Sequence, residues 1–426
     1  MSAAAVGVFV AIYVLIATER VHRTVAALGG AALILLLRIL DAESAFHEVQ
    51  TGIDWEVIFL LLGMMLIVAV VRRTGLFEYL AIWSAKRAQG RPYRIMVILC
   101  VVTAIASALL DNVTTMLLVA PVTLLIAERL AVSPVPYLIA EVLSSNIGGT
   151  ATLVGDPPNI IIASRAGISY TDFLVNLAPI SLVILVVFLL LARVLFRRAL
   201  TANPSRVAEV MRLEEREAIT DGSLLVRSLV VLVLVTVGFL LQRVLGYEPS
   251  IVALLGAGLL IAVSGRAIEE LVADVEWETL LFFAGLFIMV GGLVEVGAIG
   301  AVAEGAEDLT GGSALLATML ILVVSAVLSG FVDNIPYVAA MAPVVAGLTS
   351  GLASGNILWW ALALGADLGG NATVVGASAN VVVVGIARRA GHPIRFVEFL
   401  KYGTLVTAIS IAISALYLWL RYFVLA

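Results

Sequence analysis

Asp111-Asn112 and Asp333-Asn334 repeat one polar dipeptide at a spacing of 222 residues. Each lies in an apolar stretch and is followed nine residues later by a proline, Pro121 and Pro343. A second polar set, Gly148-Gly149-Thr150-Ala151-Thr152 with Gly155 and Asn159, returns at a spacing of 221 as Gly369-Gly370-Asn371-Ala372-Thr373 with Gly376 and Asn380. Amides and hydroxyls in such settings bind ions or polar solutes, and a carboxylate there can also take up and release a proton. Adjacent glycines weaken a helix and free backbone N–H and C=O groups, which membrane depth tolerates only against protein or a watery cavity. Two halves with polar interruptions at matching places point to a secondary transporter whose substrate sits between its repeats.

The residues expected to face the substrate are Asn112, Thr114, Thr115, Asn146, Gly148, Gly149, Thr150, Thr152, Asn334, Gly369, Gly370, Asn371 and Thr373. Five acids are candidates for carrying a driving proton: Asp111, Glu141, Asp156, Asp333 and Asp367. The sequence does not choose among them. An N-cap role for Asp111 and Asp333 is compatible with function, because a carboxylate accepts bonds from the first amides of a returning helix. The breaks are expected at Ser144–Thr150 and Asp367–Asn371, with Glu141 one helical turn before the first and Pro157-Pro158 making it firmer. Close helix packing through small residues is the competing account of the glycines. The copies also differ: Asn146 is matched by Asp367, Asp156 by Ala377, Glu141 by Leu362, and Thr114-Thr115 by Pro336-Tyr337. Coupling is expected where the copies differ.

The elements that must position these residues are membrane helices, since 62% of the chain is apolar, 13% is charged and the mean hydropathy is +1.13. The apolar start, about Ala3 to Ala17, lacks a basic leader and a cleavage site and reads as a first span. Spans are expected at about 3–18, 24–40, 56–71, 135–164 and 175–196, then 224–244, 249–265, 278–295, 357–387 and 402–424. Segments 94–128 and 314–348 fold at their Asp-Asn pairs. Arms of about 15 residues fall short of the ~20 needed to cross, so each segment reads as a re-entrant helical hairpin.

The fold class is therefore an all-α polytopic membrane protein of two inverted-topology repeats, each with five transmembrane helices, one of them broken, and one re-entrant hairpin. Residues 1–196 and 224–426 form the repeats. Residues 197–223 form a polar linker, expected to be partly helical around Val207 to Ala218. All 25 Lys and Arg except Arg38, Arg165, Arg243 and Arg421 then fall on one side. The positive-inside rule makes that side cytoplasmic, with both termini outside and the linker inside.

Several functions are set aside by what is missing from the sequence. Cys100 is the only cysteine, His22, His47 and His392 all fall in expected loops, and there is no Walker lysine motif. No catalytic residue, metal site, cofactor or nucleic-acid partner is expected.

The runs Ser107-Ala108-Leu109-Leu110-Asp111-Asn112-Val113-Thr114-Thr115 and Ser145-Asn146-Ile147-Gly148-Gly149-Thr150-Ala151-Thr152-Leu153-Val154-Gly155-Asp156-Pro157-Pro158-Asn159 resemble signatures of the ion transporter superfamily. The resemblance is closest to the branch of ArsB-type arsenite permeases and the melanosomal P protein; NhaD-type sodium/proton antiporters and dicarboxylate carriers are more distant. It implies inverted repeats, a site built from hairpin tips and broken helices, frequently a homodimer, and site positions at Asn112, Asn146, Thr150, Asn334, Asp367 and Asn371. The Ser-Asn-Thr triplets of the dicarboxylate carriers are replaced here by Asp-Asn and Asn-Ile-Gly-Gly. The expected function is export of arsenite or antimonite in exchange for protons across the plasma membrane. Sodium/proton or other inorganic-ion exchange is the alternative, and a passive channel is the alternative of another class. Docking of an ATPase subunit on the linker is left open.

Overall fold

A computed structural model describes residues 2–18, 21–48, 50–89, 91–197, 214–351 and 355–425, with backbone alone at 17, 350 and 351. The first half contains α1 (Ser2–Ala17), α2 (Arg23–Leu36), α3 (Ala42–Phe46), α4 (Trp55–Arg72), α5 (Leu76–Arg87), α6 (Pro92–Leu109), α7 (Asn112–Leu130), α8 (Val135–Gly149), α9 (Pro157–Ala166) and α10 (Tyr170–Leu195). The second contains α11 (Gly222–Leu240), α12 (Gln242–Leu245), α13 (Pro249–Ser264), α14 (Ile268–Ala273), α15 (Trp277–Glu295), α16 (Ala298–Thr310), α17 (Ala314–Phe331), α18 (Asn334–Gly351), α19 (Ile357–Gly369), α20 (Ser378–Arg389) and α21 (Phe396–Trp419). Among the described residues no strand occurs, and eight helices are long and apolar enough to cross a membrane. The expected all-α, twice-repeated architecture is present, and helices occur at the ten positions where spans were expected; five of these are among the eight of crossing length, and the other three of the eight are the hairpin arms α6, α7 and α17. Most of the expected linker helix, 207–213, lies outside the described residues; its end, Glu215–Ala218, is a single 3₁₀ turn.

The helices sort into two bodies. The first is a scaffold in which α4 packs on α13 and α2 on α15, joined by α1 and α11. Small residues set these contacts. A Cβ at Gly63 would stand 2.8 Å from the Ala253 backbone, and one at Gly285 would stand 2.8 Å from that of Ala27, so the two crossings are copies, with their glycines 222 and their alanines 226 residues apart. The second body is a core in which α6 packs on α8 and α17 on α19, while α7 meets α20 and α18 meets α9. The two repeats thus interdigitate at their broken helices. α10 and α21 cover the core.

Three sequence expectations need correction. Hairpin arms α6, α7 and α17 are 18, 19 and 18 residues long, not about 15; in α6 and α7 polar ends, Tyr93-Arg94 and Glu128-Arg129, continue the helix beyond the apolar run. The charged stretches read as loops before each hairpin are helices α5 and α16. Each links the scaffold to a hairpin and lies against its returning arm, α7 or α18. Their acidic and basic residues are the polar faces of surface helices rather than loop charges. The breaks also begin later than expected. α8 continues through Gly149 and α19 through Gly369, so the breaks in α-helix are 150–156 and 370–377, the second containing a 3₁₀ turn at Val374–Gly376. Glu141 is therefore about two turns from its helix end. Pro157 and Pro158 do not interrupt a helix but open α9 at its first turn, where a missing amide hydrogen costs nothing.

Hydrogen bonds and ion pairs assign the connections to two faces. On one, Lys86 pairs with Glu215, the Thr220 amide reaches the Thr74 carbonyl at 3.1 Å, and Arg73 holds Asp274 at 2.9 Å. On the other, Arg243 pairs with Asp172, the Ser250 amide donates to Glu56 at 2.8 Å, and Arg165 donates to the Gln50 carbonyl at 3.1 Å.

Candidate functional site

Each hairpin turns on its Asp-Asn pair. Asp111 caps α7, its Oδ1 accepting from the Thr114 amide at 2.7 Å, so Asn112 enters the core as the first helical residue. Asp333 accepts from the Ile335 amide at 3.1 Å and presents Asn334 in the same way. The two tips converge on one carboxylate. Asn112 Nδ2 donates to Asp156 Oδ2 at 2.7 Å, and Asn334 Nδ2 donates to both Asp156 oxygens at 3.3 and 3.2 Å. Asp156 stands at the N-cap position of α9 yet makes no capping bond there, its acceptors being turned to the hairpins.

Around this carboxylate an amide network crosses between the repeats. Asn146 accepts from Asn112 at 3.2 Å and donates to Asn371 Oδ1 at 2.9 Å and Asn380 Oδ1 at 3.1 Å. All these residues are essentially inaccessible to solvent. Apolar surroundings strengthen such bonds and make an unmade one costly, which explains why amides gather here in mutually satisfying pairs.

A second set of bonds holds the breaks open and occurs twice. Asn159 donates to the Gly149 and Thr152 carbonyls at 3.2 and 3.1 Å, and Asn380 to those of Gly370 and Thr373, both at 2.8 Å. Thr152 donates to Ala108 O at 2.5 Å, and Thr373 to Gly330 O at 2.6 Å, tying each break to a hairpin tip. Ser107 to Ser145 O and Ser329 to Ala366 O complete the pattern at 2.7 and 2.6 Å. The hydroxyls of Thr152 and Thr373 are thus engaged in shaping the break, and Thr150 donates to its own helix at Asn146 O. Gly148 and Gly369 face hairpin backbone at Ala104 and Ala326, and Gly149 and Gly370 face Gly155 and Gly376. Packing, the competing account of these glycines, describes their immediate contacts.

Among the described residues ten buried side-chain oxygens have no hydrogen-bond partner; five of them are Asn112 Oδ1, Thr115 Oγ1, Asn159 Oδ1 and both carboxylate oxygens of Asp367, and the others are on Thr103, Glu141 (Oε2), Ser144, Ser181 and Ser228. Asp367 lies beside the Asn159 and Thr150 side chains without an aligned hydrogen bond. Glu141 stands apart from this centre. On α8 it faces the returning arm α7 of the first hairpin, fully buried, its Oε1 accepting from Thr123 at 2.7 Å. Thr114 contributes its backbone amide to Asp111, and its half-buried side chain lies beside the same carboxylate.

A cavity of about 820 Å³ leads to the tips, lined by His22, Arg23, Glu276, Glu278, Asp333 and Ser378 among others. A pocket of about 20 Å³, the size of one water, continues from Arg23 and Glu276 to Asp111. The cavity opens between scaffold and core on the face of residues 21–23 and 275–279, beside α7 and α20. Toward the other face the bodies are closed by α4 against α9 and α15 against α18, where Ser164 donates to Asp54 at 2.6 Å.

Sequence reasoning passed over Arg23, Glu276 and Ser378, which nothing distinguished from flank residues. Asn159 and Asn380 were signalled by their repetition at 221 residues, but they act on the breaks.

A family model described as a citrate transporter, CitMHS, matches residues 13–365. The chain is 57% identical to an uncharacterized transporter of Mycobacterium tuberculosis and 56% identical to a 46 kDa membrane protein of Mycobacterium leprae, each over all of both chains. It is 35% identical to the P protein of Homo sapiens over 97% of this chain and 59% of that protein. The structure of the Alcanivorax borkumensis YdaH transporter, described as having an unusual topology, superposes with a TM-score of 0.58 over 94% of this chain and 98% of its own. At 15% identity this is a likeness of fold alone. Paired hairpins closing on one buried carboxylate and a match over most of the length lead to one assignment: the chain belongs to the CitMHS citrate-transporter family of the ion transporter superfamily, and it is a multi-pass secondary transporter.

Proposed function

We propose that the transporter exports a neutral metalloid hydroxide, arsenite or antimonite, in exchange for protons. The observation that carries this reading is the set of acceptor oxygens, on Asp367, Asn112 and Asn159, which no protein donor meets. Acceptors without donors call for a solute that brings donors, and arsenous acid offers three hydroxyls and no charge. A citrate anion would bring further acceptors, and it would approach through a cavity where Asp333, Glu276 and Glu278 outnumber Arg23 and His22. Its charge and that lining are of one sign.

A neutral solute draws no work from the membrane voltage, whereas each coupled proton contributes about 2.3 kcal/mol per 100 mV. Asp156 and Asp367 are placed to carry that proton, since both lie where the solute would displace or recruit their hydrogen bonds. The core would carry the site between faces while the scaffold stays, exposing it alternately. The Lys and Arg distribution supports a cytoplasmic location for the open cavity, with both termini outside in the plasma membrane. The homodimer that the resemblance implies belongs to the same proposal.

A second reading, sodium/proton exchange, is favoured by the same oxygens, because a hard cation takes carboxylate and amide oxygens as ligands. The test is inverted vesicles holding the purified protein, acid inside, offered arsenite, antimonite, sodium or citrate. Arsenite accumulation that collapses with the proton gradient supports the first reading. Sodium or citrate uptake without any arsenite accumulation would refute it, and uninterrupted conductance would indicate a channel.

A further inference from the structure

We propose that Arg23 is a switch with two carboxylate partners, Asp333 on the moving core and Glu276 on the fixed scaffold. Exchange between them makes the conformational equilibrium depend on proton uptake at Glu276 from the cavity side. The inference concerns the motion of the two bodies and holds whichever solute is carried.

Arg23 opens α2, and its guanidinium lies 5.4 Å from the centre of the Phe282 ring on α15, which keeps it seated on the scaffold. Its Nη1 donates to Asp333 Oδ2 at 3.2 Å and to Ser378 Oγ at 2.6 Å, and Ser378 passes its own hydrogen to the same Asp333 oxygen at 2.5 Å. Asp333 belongs to the second hairpin tip and Ser378 to the start of α20, so one scaffold cation holds the core at two points. These bonds must break when the core moves.

Glu276 immediately precedes α15 and lines both the large cavity and the small pocket that reaches Asp111. Thr279 donates to its Oε2 at 3.1 Å. The charged groups around it are Asp111 from the first hairpin tip, Arg23 from α2, and Glu278 on its own helix. Asp333 and His22 line the same cavity, with His22 3.3 Å from Glu278, and Asp274 is turned away to Arg73. Burial first, and the Asp111 charge second, push the Glu276 carboxyl up to about 7.

The sign follows from these neighbours. In the conformation seen here Arg23 is committed to Asp333, and Glu276 faces Asp111, so acid favours this state by keeping Glu276 neutral. Once the core carries Asp111 and Asp333 away, Arg23 is free to meet Glu276, and the carboxylate forms with its proton released to cavity water. The scaffold stays fixed while the core moves, so the proton returns to the side it came from. The group regulates the motion and does not itself drive transport.

The experiment needs no substrate. Val381→Cys places a thiol on the exposed cavity wall, and the native Cys100 is fully buried. Maleimide labelling in membranes, normalised at each pH to denatured protein, reports the open state. Labelling is expected to fall about three- to tenfold between about pH 6 and pH 8, for a shift of about one pKa unit between states. Glu276→Gln should flatten that dependence at the acid level, and Arg23→Gln should lower labelling at both pH values. An unchanged slope in Glu276→Gln, or unchanged labelling in Arg23→Gln, overturns the switch. Thr279→Val provides an independent arm: losing a donor to the carboxylate should move the midpoint to higher pH, and an unmoved midpoint also overturns it.

Discussion

Gly148→Ala tests how tightly the first break is bound to its hairpin. The added Cβ would stand 2.2 Å from the carbonyl oxygen of Ala104 and 2.6 Å from its Cα. Both partners are backbone, so no rotamer change relieves the contact. To reach even 3.0 Å, below which such contacts are not found, α6 and α8 must separate by at least about 0.8 Å. That stretches the 2.7 Å bond from Ser107 to Ser145 O to the edge of hydrogen-bonding range and loosens Thr152 on Ala108. Overpacking of this kind costs about 1–3 kcal/mol, and each of the two weakened buried bonds about 1 kcal/mol more, giving a loss of roughly 3–5 kcal/mol. The control is Gly258→Ala in α13, where a Cβ meets nothing within 4 Å and helix propensity should improve by up to about 1 kcal/mol. Thermal unfolding of detergent-solubilised protein, with monodispersity as the readout, should show Gly148→Ala well below wild type and Gly258→Ala at or above it. Equal melting of the two variants would refute the reasoning, and so would a Gly148→Leu protein that still binds solute.

Asp367→Asn should insert normally and support solute counterflow while losing proton-driven accumulation; intact accumulation removes Asp367 from the proton path. Asp156→Ala strands the amides of Asn112 and Asn334 in the core and should lower stability by about 2–4 kcal/mol. In a thermal double-mutant cycle with Asn334→Ala it should show a coupling of about 1 kcal/mol or more, and simple additivity would argue against a shared carboxylate. Cys100 is fully buried, so native membranes should give no maleimide labelling at that position and denatured protein should give full labelling; native labelling contradicts the packing of α6 on α8.

The repeats, hairpins and broken helices were legible because each leaves a mark that hydropathy and spacing detect: an apolar run, a polar tip, a glycine doublet. The surface helices α5 and α16 were not, since Glu78 with Lys86, or Glu304 with Asp308, look alike in a helix and in a loop once the apolar face is narrow. The centre was half legible. Asn112 and Asn334 were singled out, but nothing in the sequence says that both tips would choose Asp156 over Asp367. That choice depends on how the two breaks interleave, a long-range property. Arg23 escaped for a different reason. The positive-inside pattern accounts for an arginine before a span so readily that a second role for it leaves no residue-level trace.

What the duplication preserved and what it changed divide along one line. Thr152 and Thr373, Asn159 and Asn380, and Ser107 and Ser329 make the same bonds in both halves, and all of them fix a break to a hairpin. Two of the positions that differ, Asp156 against Ala377 and Asn146 against Asp367, lie where the halves meet, whereas Glu141 against Leu362 lies apart from them. Asymmetry there has a physical cause. Two tips that arrive at one point, each offering an amide, can share one carboxylate, whereas a carboxylate from each half would place like charges side by side in an apolar medium. Ala377 keeps the matching position free of a second carboxylate, even though Asp367 of the same half remains within electrostatic reach of Asp156. It leaves Asp367, without a protein donor, as the acid still able to bind a proton, a cation or a hydroxyl-bearing solute. The symmetric bonds build the frame, and the chemistry is confined to the few positions where the copies diverged.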